Sequence, residues 1–422
     1  MLPVLSGLRV IAVEQYGAGP YGSMQLADLG AEIIKIENPS DGGDMARRVG
    51  PYFFGQGDKT DDSQFFHSFN RNKKSVTLDL KKPQAKAVLH RLVARADGVL
   101  DNLRGDLPEK LGLTYAALAP ANPKIVCAHL SAYGRSGSRA HWPGYDYLMQ
   151  AETGYLSLTG EPDGPPARMG LSIVDLMTGL FAAYALVSGV LAARETGQGR
   201  DLDVSLFDTA LQNLCYLSTW YLNAGHVQGR EPASAHPSLV PSQLYRTRDG
   251  WIFIMCNKEK FWPLLARELG HPEWIDDPEL AVFAQRLKNR DRVTRLLDDA
   301  LMQAPTATWI ARLSGKVPVA PVFDIAQALE NPFVHERDGV LDFDYGDGRG
   351  ARMIANPIRI DGVALPHRAA PRMGEHDDAM LREAGFDAAA IARLRELGVI
   401  ARRASAPGDV EHDVGHDVGH AA

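Results

Sequence analysis

Asp175 stands at the head of a long apolar stretch, the 18 uncharged residues from Leu176 to Ala193. A carboxylate in the first turn of such a helix meets unsatisfied backbone amides and the positive end of the helix dipole, and both stabilise its negative charge. An ionised carboxylate can attack an activated acyl group and carry it covalently. Aspartate is also a common helix N-cap, so the local residues leave nucleophile and cap as equal readings.

A second constellation lies near the start. Gly17-Ala-Gly-Pro-Tyr-Gly22 has the form GxGxxG, follows a strand-like run, precedes a helix-like one, and the next strand ends at Glu37. In dinucleotide-binding folds such glycines let backbone amides reach a pyrophosphate, while the acidic residue holds a ribose. An NAD-dependent dehydrogenase using Gly17–Gly22 is therefore an alternative of another class. Two details weigh against it: Glu14-Gln-Tyr16 intervenes between the apolar strand and the first glycine, and Pro20 falls between the second and third. Proline suits the first turn of a helix. The segment thus points to a phosphate-bearing ligand at a helix amino end more than to a nicotinamide.

Other reactive residues carry less. Cys127, Cys215 and Cys256 form no CxxC pair and read as buried small hydrophobes in a reducing compartment. His412, His416 and His420 are spaced by four, but Gly415 and Gly419 oppose the helix that would align them, so no metal site is expected.

The elements that must position these groups follow a strand-then-helix rhythm. Leu8–Val13, Ala31–Ile36, Ser75–Leu78, Gly98–Leu100 and Lys124–Leu130 read as buried strands, with helices at Tyr21–Leu29 and Gln84–Ala96. This alternation predicts an α/β fold with a parallel sheet covered by helices. The stretch 176–193 reaches the length of a membrane span, but its small residues and the lack of a second candidate favour a buried helix of a soluble protein. A Pro/Ser-rich segment, Glu231–Ser242, suggests a boundary. Beyond it, Tyr245–Met255 reads as a hairpin turning at Arg248-Asp-Gly250. Helices are expected at Lys258–Leu269, Asn289–Gln303 and Asp378–Leu397. The expected plan is a large domain over 1–225, a smaller α+β domain over 226–330, a return segment over 331–400 and a disordered tail over 401–422.

A length of 422 residues suits more than one domain, and the net charge of −7 argues against general nucleic-acid binding. The amino terminus lacks a charged segment followed by a long apolar run, so a cytoplasmic location and no membrane partner are expected.

Ordered motifs along the chain resemble one known family, the class III CoA transferases, which include formyl-CoA transferases, carnitine CoA-transferases and the α-methylacyl-CoA racemases. The motifs are Gly7-Leu-Arg-Val, Ala18-Gly-Pro20, Leu26 to Glu37, Asn72 to Leu80, Asp101-Asn-Leu-Arg104, Gly144-Tyr-Asp146, Ile173 to Gly179, Thr196-Gly-Gln-Gly-Arg200 and Gly374-Glu-His376. The resemblance implies a Rossmann-like large domain, an interlocked homodimer, and Asp175 as nucleophile in an acyl-CoA:carboxylate CoA transfer. It implies an aspartyl–acyl anhydride, then an aspartyl-CoA thioester, with no cofactor beyond coenzyme A and no metal.

Carried over by position, the CoA-binding residues are Ala18, Leu78, Asp79, Leu80, Lys81, Asn102, Leu103, Arg104, Lys110, Tyr145 and Asp146. Arg104 and Lys110 are the expected phosphate ligands. Asn38 stands where a family formyl-CoA transferase has Arg, so that contact is missing. The racemases carry His in the motif at 144–146; Tyr145 here removes half of their acid/base pair and favours the transferase over a 2-methylacyl-CoA racemase. The glycine-rich loop of oxalate-specific members is absent, its place taken by His236 to Gln243. This argues against oxalate and makes His236, Ser242 and Gln243 acyl-pocket candidates beside Tyr16 and Gly17. His376 is left between a structural and a catalytic role.

Overall fold

Arg9–Val13 (β1) is a run of branched aliphatic residues whose Val10, Ile11 and Ala12 are fully buried, as a strand covered on both faces must be. It lies at the centre of a six-stranded parallel sheet with Glu32–Glu37 (β2), Lys74–Thr77 (β3), Gly98–Asp101 (β4), Val126–Ser131 (β5) and Arg200–Ser205 (β6). The order is β3-β2-β1-β4-β5-β6, with Val10 opposite Ile33 on one side and Gly98 on the other. Order therefore reverses between β1 and β4, and open sheets of this kind bind ligands outside the carboxyl ends of the strands at that reversal.

The computed structural model describes residues 3–54, 63–345, 350–363, 365 and 367–402. The tail from 403, with its three histidines and its expected disorder, lies outside them. The chain divides into two units: Met1–Gly144, Asp175–Thr209 and Leu341–Ala422 form the first, Tyr145–Val174 and Ala210–Val340 the second. Residues 145–174 and 210–225 thus group with the smaller unit. Two divisions fall inside continuous helices, Ile173–Thr196 and Leu206–Asn213, where no change of composition could mark them.

In the first unit the helix Pro83–Val93 packs Val88, Leu89 and Leu92 into a core shared with Ile11, Ile34, Val76 and Val99. The return segment adds Leu381, Ile391 and Val399 to it. The expected final helix is two, Asp377–Glu383 and Ala388–Glu396, divided at Gly385, whose φ of +86° a helix cannot carry. His376 belongs to this return: its Nδ1 accepts from Ser75 N at 3.3 Å, and the neighbouring Asp377 accepts from Thr77 N and Oγ1, both at 2.6 Å.

The long helix Ile173–Thr196 departs from the expectation of a buried helix, since only one face of it is covered. Thr178, Ala182, Leu186 and Val190, spaced by four, form the covered face. Leu186 reaches the sheet at Gly98, and Gly189 sits against Val126 and Leu202. Leu180, Phe181, Tyr184 and Leu191 are exposed.

A charge cluster with a buried centre links β4, β5 and β6. His129 on β5 meets Asp101 Oδ2 through Nδ1 (2.6 Å) and Asp201 Oδ1 through Nε2 (2.9 Å). Burial opposes its charge, but the bonds to Asp101 and Asp201 outweigh that and raise its pKa to about 9. Asp101 stays above the usual carboxylate range because burial outweighs what His129 returns, which offsets part of the gain. A raised imidazole pKa gives stability that is complete below the unfolded value of 6.5 and is lost as pH rises through the folded one. Urea unfolding is expected to show about 1–2 kcal/mol lost between pH 6.5 and 9, and His129→Gln should lack that dependence. An unchanged pH dependence in the variant would remove His129 as its source.

The second unit is α+β. Ser242–Arg246 (β7) and Trp251–Met255 (β8) form the expected hairpin, and Val319–Pro321 (β9) adds an antiparallel edge. Helices Phe261–Leu269, Arg290–Leu301 and Thr306–Leu313 bury Trp262, Leu265, Leu297 and Trp309 against it. Cys127 in the first unit and Cys256 in this one are buried, and burial pushes the Cys256 thiol up to about 12. Cys215 departs from the expectation: it is exposed and starts the helix Tyr216–Ala224.

Candidate active site

The first helix, Ala18–Asp28, begins three residues after Gln15, with Gly17 as its N-cap and no side chain closing its amino end. The long helix crosses it at two glycines. A Cβ on Gly22 would lie 2.3 Å from Gly179 O, and a Cβ on Gly179 would lie 2.3 Å from Ala18 O, so only glycine at both positions allows this approach. Asp175 is one helical turn before Gly179, which brings its carboxylate to Gly17: a Cβ there would stand 3.0 Å from Asp175 Oδ2. The half-buried Asp175 thus lies in the first turn of its own helix and beside the amino end of another, at the carboxyl end of β1. Both helix ends favour negative charge there.

Three glycines of the dinucleotide-like motif are therefore committed. Gly17 faces Asp175, Gly19 packs on Asn102, and Gly22 makes the helix crossing. Glu37, the residue that would hold a ribose, is buried and bonded to Arg47 Nη2 (2.7 Å) and Ser75 Oγ (2.6 Å), which holds its pKa at about 2 despite burial.

The other carried-over residues of this unit all follow carboxyl ends of strands. Ala18 is the first residue of its helix and is buried. Leu78 belongs to the core, with Leu80 and Leu103 packed partly against it. Asp79 accepts from Lys81 N at 3.1 Å and from Ser40 Oγ at 3.1 Å, which shapes the turn after β3, while Lys81 is exposed. Leu78–Lys81 follow the edge strand β3, two strands from β1. Asn102, after β4, exchanges two hydrogen bonds with the backbone of Gln15. Asn38 accepts from Ser40 N and donates to Asp41.

Arg104 and Lys110 come together on a residue the sequence reading missed. Asp106 Oδ1 accepts from Arg104 Nε at 2.5 Å, and Oδ2 accepts from Lys110 Nζ at 2.5 Å. The two cations hold the Asp106 carboxyl well below the usual range. The spacing Arg-x-Asp-x3-Lys carries the signal, because Asp106 and Lys110 are one helical turn apart.

Tyr145, Asp146, His236, Ser242 and Gln243 lie in the second unit. Tyr145 is 62% exposed and precedes the helix Asp146–Glu152, while Asp146 is buried and accepts from Gln150 Nε2 at 2.5 Å. His236 Nδ1 accepts from Ser238 N (3.1 Å) and Leu239 N (3.2 Å). Burial, then Arg290, keeps its pKa low. Ser242 is buried, and Gln243 donates to Thr294 Oγ1 at 3.2 Å.

A doubly wound parallel sheet with a carboxylate beside its switch point defines the class to which the comparisons then give a family. The model of CoA-transferase family III matches residues 5–377, so the chain belongs to that family. It is 32% identical over 392 residues, 90% of this chain and 96% of the relative, to a succinate–glutarate CoA-transferase of Agrobacterium fabrum. It is 34% identical over 385 residues, 89% and 95% of the two chains, to an acetyl-CoA:oxalate CoA-transferase of Acetobacter aceti. The crystal structure of a CaiB/BaiF family protein from Brucella suis superposes with a TM-score of 0.78 at 31% identity, covering 91% of this chain and 100% of that one. The protein is an enzyme that moves CoA between an acyl-CoA and a carboxylate.

Proposed function

We propose that CoA transfer proceeds through covalent catalysis at Asp175. The observation that carries this reading is the approach of Asp175 Oδ2 to Gly17 at the sheet's switch point. A carboxylate oxygen of Asp175 attacks the donor thioester carbonyl, and CoA leaves as thiolate, giving an aspartyl–acyl anhydride. The thiolate attacks the aspartyl carbonyl, releasing the donor acid and forming an aspartyl-CoA thioester. The acceptor carboxylate then attacks that carbonyl and expels the thiolate, forming a second anhydride. Attack of the thiolate on the acceptor's acyl carbon yields the new acyl-CoA and restores Asp175. Electrons and charge balance over the cycle without a redox step. Each addition develops an oxyanion that nearby backbone amides can stabilise.

Succinyl-CoA with a short dicarboxylate is the substrate pair this reading favours. Relatives are named for glutarate and for mesaconate, and one is named for oxalate, so the missing glycine-rich loop is a weak guide to the acceptor. Incubating the enzyme with succinyl-CoA and glutarate, mesaconate or oxalate, with products read by mass, tests this. Formation of no new acyl-CoA from any pair would count against it, and solvent deuterium at the α-carbon of a 2-methylacyl-CoA would favour a racemase.

Arg104 and Lys110 are proposed to take a CoA phosphate, displacing Asp106. Arg104→Ala is expected to raise KM for the acyl-CoA about tenfold with kcat little changed. Steady-state kinetics checks this, and an unchanged KM would remove Arg104 from the phosphate site. A homodimer is the proposed assembly, supported by the uncovered stripe of Leu180, Phe181, Tyr184 and Leu191 on the long helix. A cytoplasmic location is likewise proposed.

A further inference from the structure

We propose that Asn102, Asp44 and Lys35 are positioning residues that act on Asp175 through the segment Glu14–Gly17. The inference rests on Asp175 being the nucleophile.

Between β1 and the first helix the chain makes no regular structure, yet four successive backbone groups are each held by a side chain. Lys35 Nζ donates to Glu14 O at 2.9 Å. Gln15 N donates to Asn102 Oδ1 at 2.9 Å, and Asn102 Nδ2 donates back to Gln15 O at 2.7 Å. Tyr16 N donates to Asp44 Oδ1 at 2.9 Å. The next residue is Gly17, whose absent Cβ marks the place of the Asp175 carboxylate.

The ties hold a conformation the chain would not keep by itself. Tyr16 has φ of +70°, a left-handed backbone that costs a non-glycine residue about 1 kcal/mol or more. Released, it would relax toward negative φ and carry Gly17 with it. The anchors themselves are fixed by burial and charge. Lys35 and Asp44 form an ion pair of 2.8 Å with both side chains fully buried, and Glu14 joins through Lys35 at 3.8 Å and is itself paired with Lys73 at 2.7 Å. Burial opposes the charge of Lys35, but Asp44, Glu14 and Glu37 outweigh it, so it remains charged. Asp44 also accepts from Ala46 N, which locks its own turn. Each end of the Asn102 amide makes one bond to Gln15, which fixes the orientation of the side chain against that residue.

A positioning residue and a ligand separate in kinetics. Asn102→Ala is expected to lower kcat about 10- to 100-fold, with KM for succinyl-CoA within about twofold. Asn102→Asp keeps the acceptor for Gln15 N but not the donor to Gln15 O, and should fall between. Asp44→Ala, which removes the acceptor of Tyr16 N together with the bonds to Ala46 N and Lys35, should share the phenotype. The double variant should be little worse than the poorer single one, because both act through one segment. A tenfold rise in KM with unchanged kcat in Asn102→Ala would overturn the proposal, as would full kcat in a folded Asp44→Ala. Should Asp44→Ala not fold, the Asn102 pair decides alone. Turnover surviving in Asp175→Asn would instead refute the nucleophile, a result independent of the KM and kcat split.

Discussion

Asp175→Ala is expected to lose CoA transfer by at least about 10⁴-fold while folding normally. The size follows from the chemistry: without the carboxylate no acyl-enzyme forms, and the acceptor acid would have to displace thiolate directly in one difficult step. Normal folding is expected because Asp175 is half-buried in the first turn of its helix, where losing a carboxylate costs about 0.3–1 kcal/mol. Asp175→Asn should be as inactive, since an amide has a similar shape but is a poor nucleophile. Initial rates with succinyl-CoA and a dicarboxylate check both, with circular dichroism to confirm folding. Activity within tenfold of wild type in either variant would show that the carboxylate is not the group that carries the acyl chain.

Gly179→Val is expected to have the largest structural effect. Its Cβ would meet Ala18 O at 2.3 Å, a backbone atom that can move only with the whole first helix. Overpacking of that kind costs about 1–3 kcal/mol, and a β-branched residue against a helix backbone belongs at the upper end. Activity should fall beyond what stability explains, because the same crossing sets Asp175 against Gly17. Gly22→Val should behave alike, since its Cβ meets Gly179 O at the same distance. Urea unfolding with kcat on the folded fraction measures both parts. A folded Gly179→Val with full kcat would mean that the crossing does not govern the nucleophile's place.

Much of the first unit was legible because parallel strands are short apolar runs with nothing to mistake them for. Leu8–Val13 contains the strand found there, and Lys124–Leu130 covers all but the last residue of its strand, Ser131. The reversal point was legible too, through Gly17–Gly22, although those glycines serve helix crossing and carboxylate approach more than a pyrophosphate. Asp175 was visible, but its setting was not: Gly22 and Gly179 are far apart in sequence, and no local pattern pairs them. The long helix misled for a related reason. Hydropathy counts apolar residues without telling which face is covered, and Tyr184 is 72% exposed. Asn102 stood out by motif as a CoA contact, while its two bonds to Gln15, 87 residues away, had no local pattern to show them.

The covalent intermediate is the most direct test of Asp175. Enzyme mixed with succinyl-CoA, without acceptor, then treated with hydroxylamine or borohydride and digested, is expected to yield one peptide altered in mass, with the change on Asp175. Adduct on another residue, or turnover with no trapped adduct at any substrate level, would contradict an aspartyl intermediate.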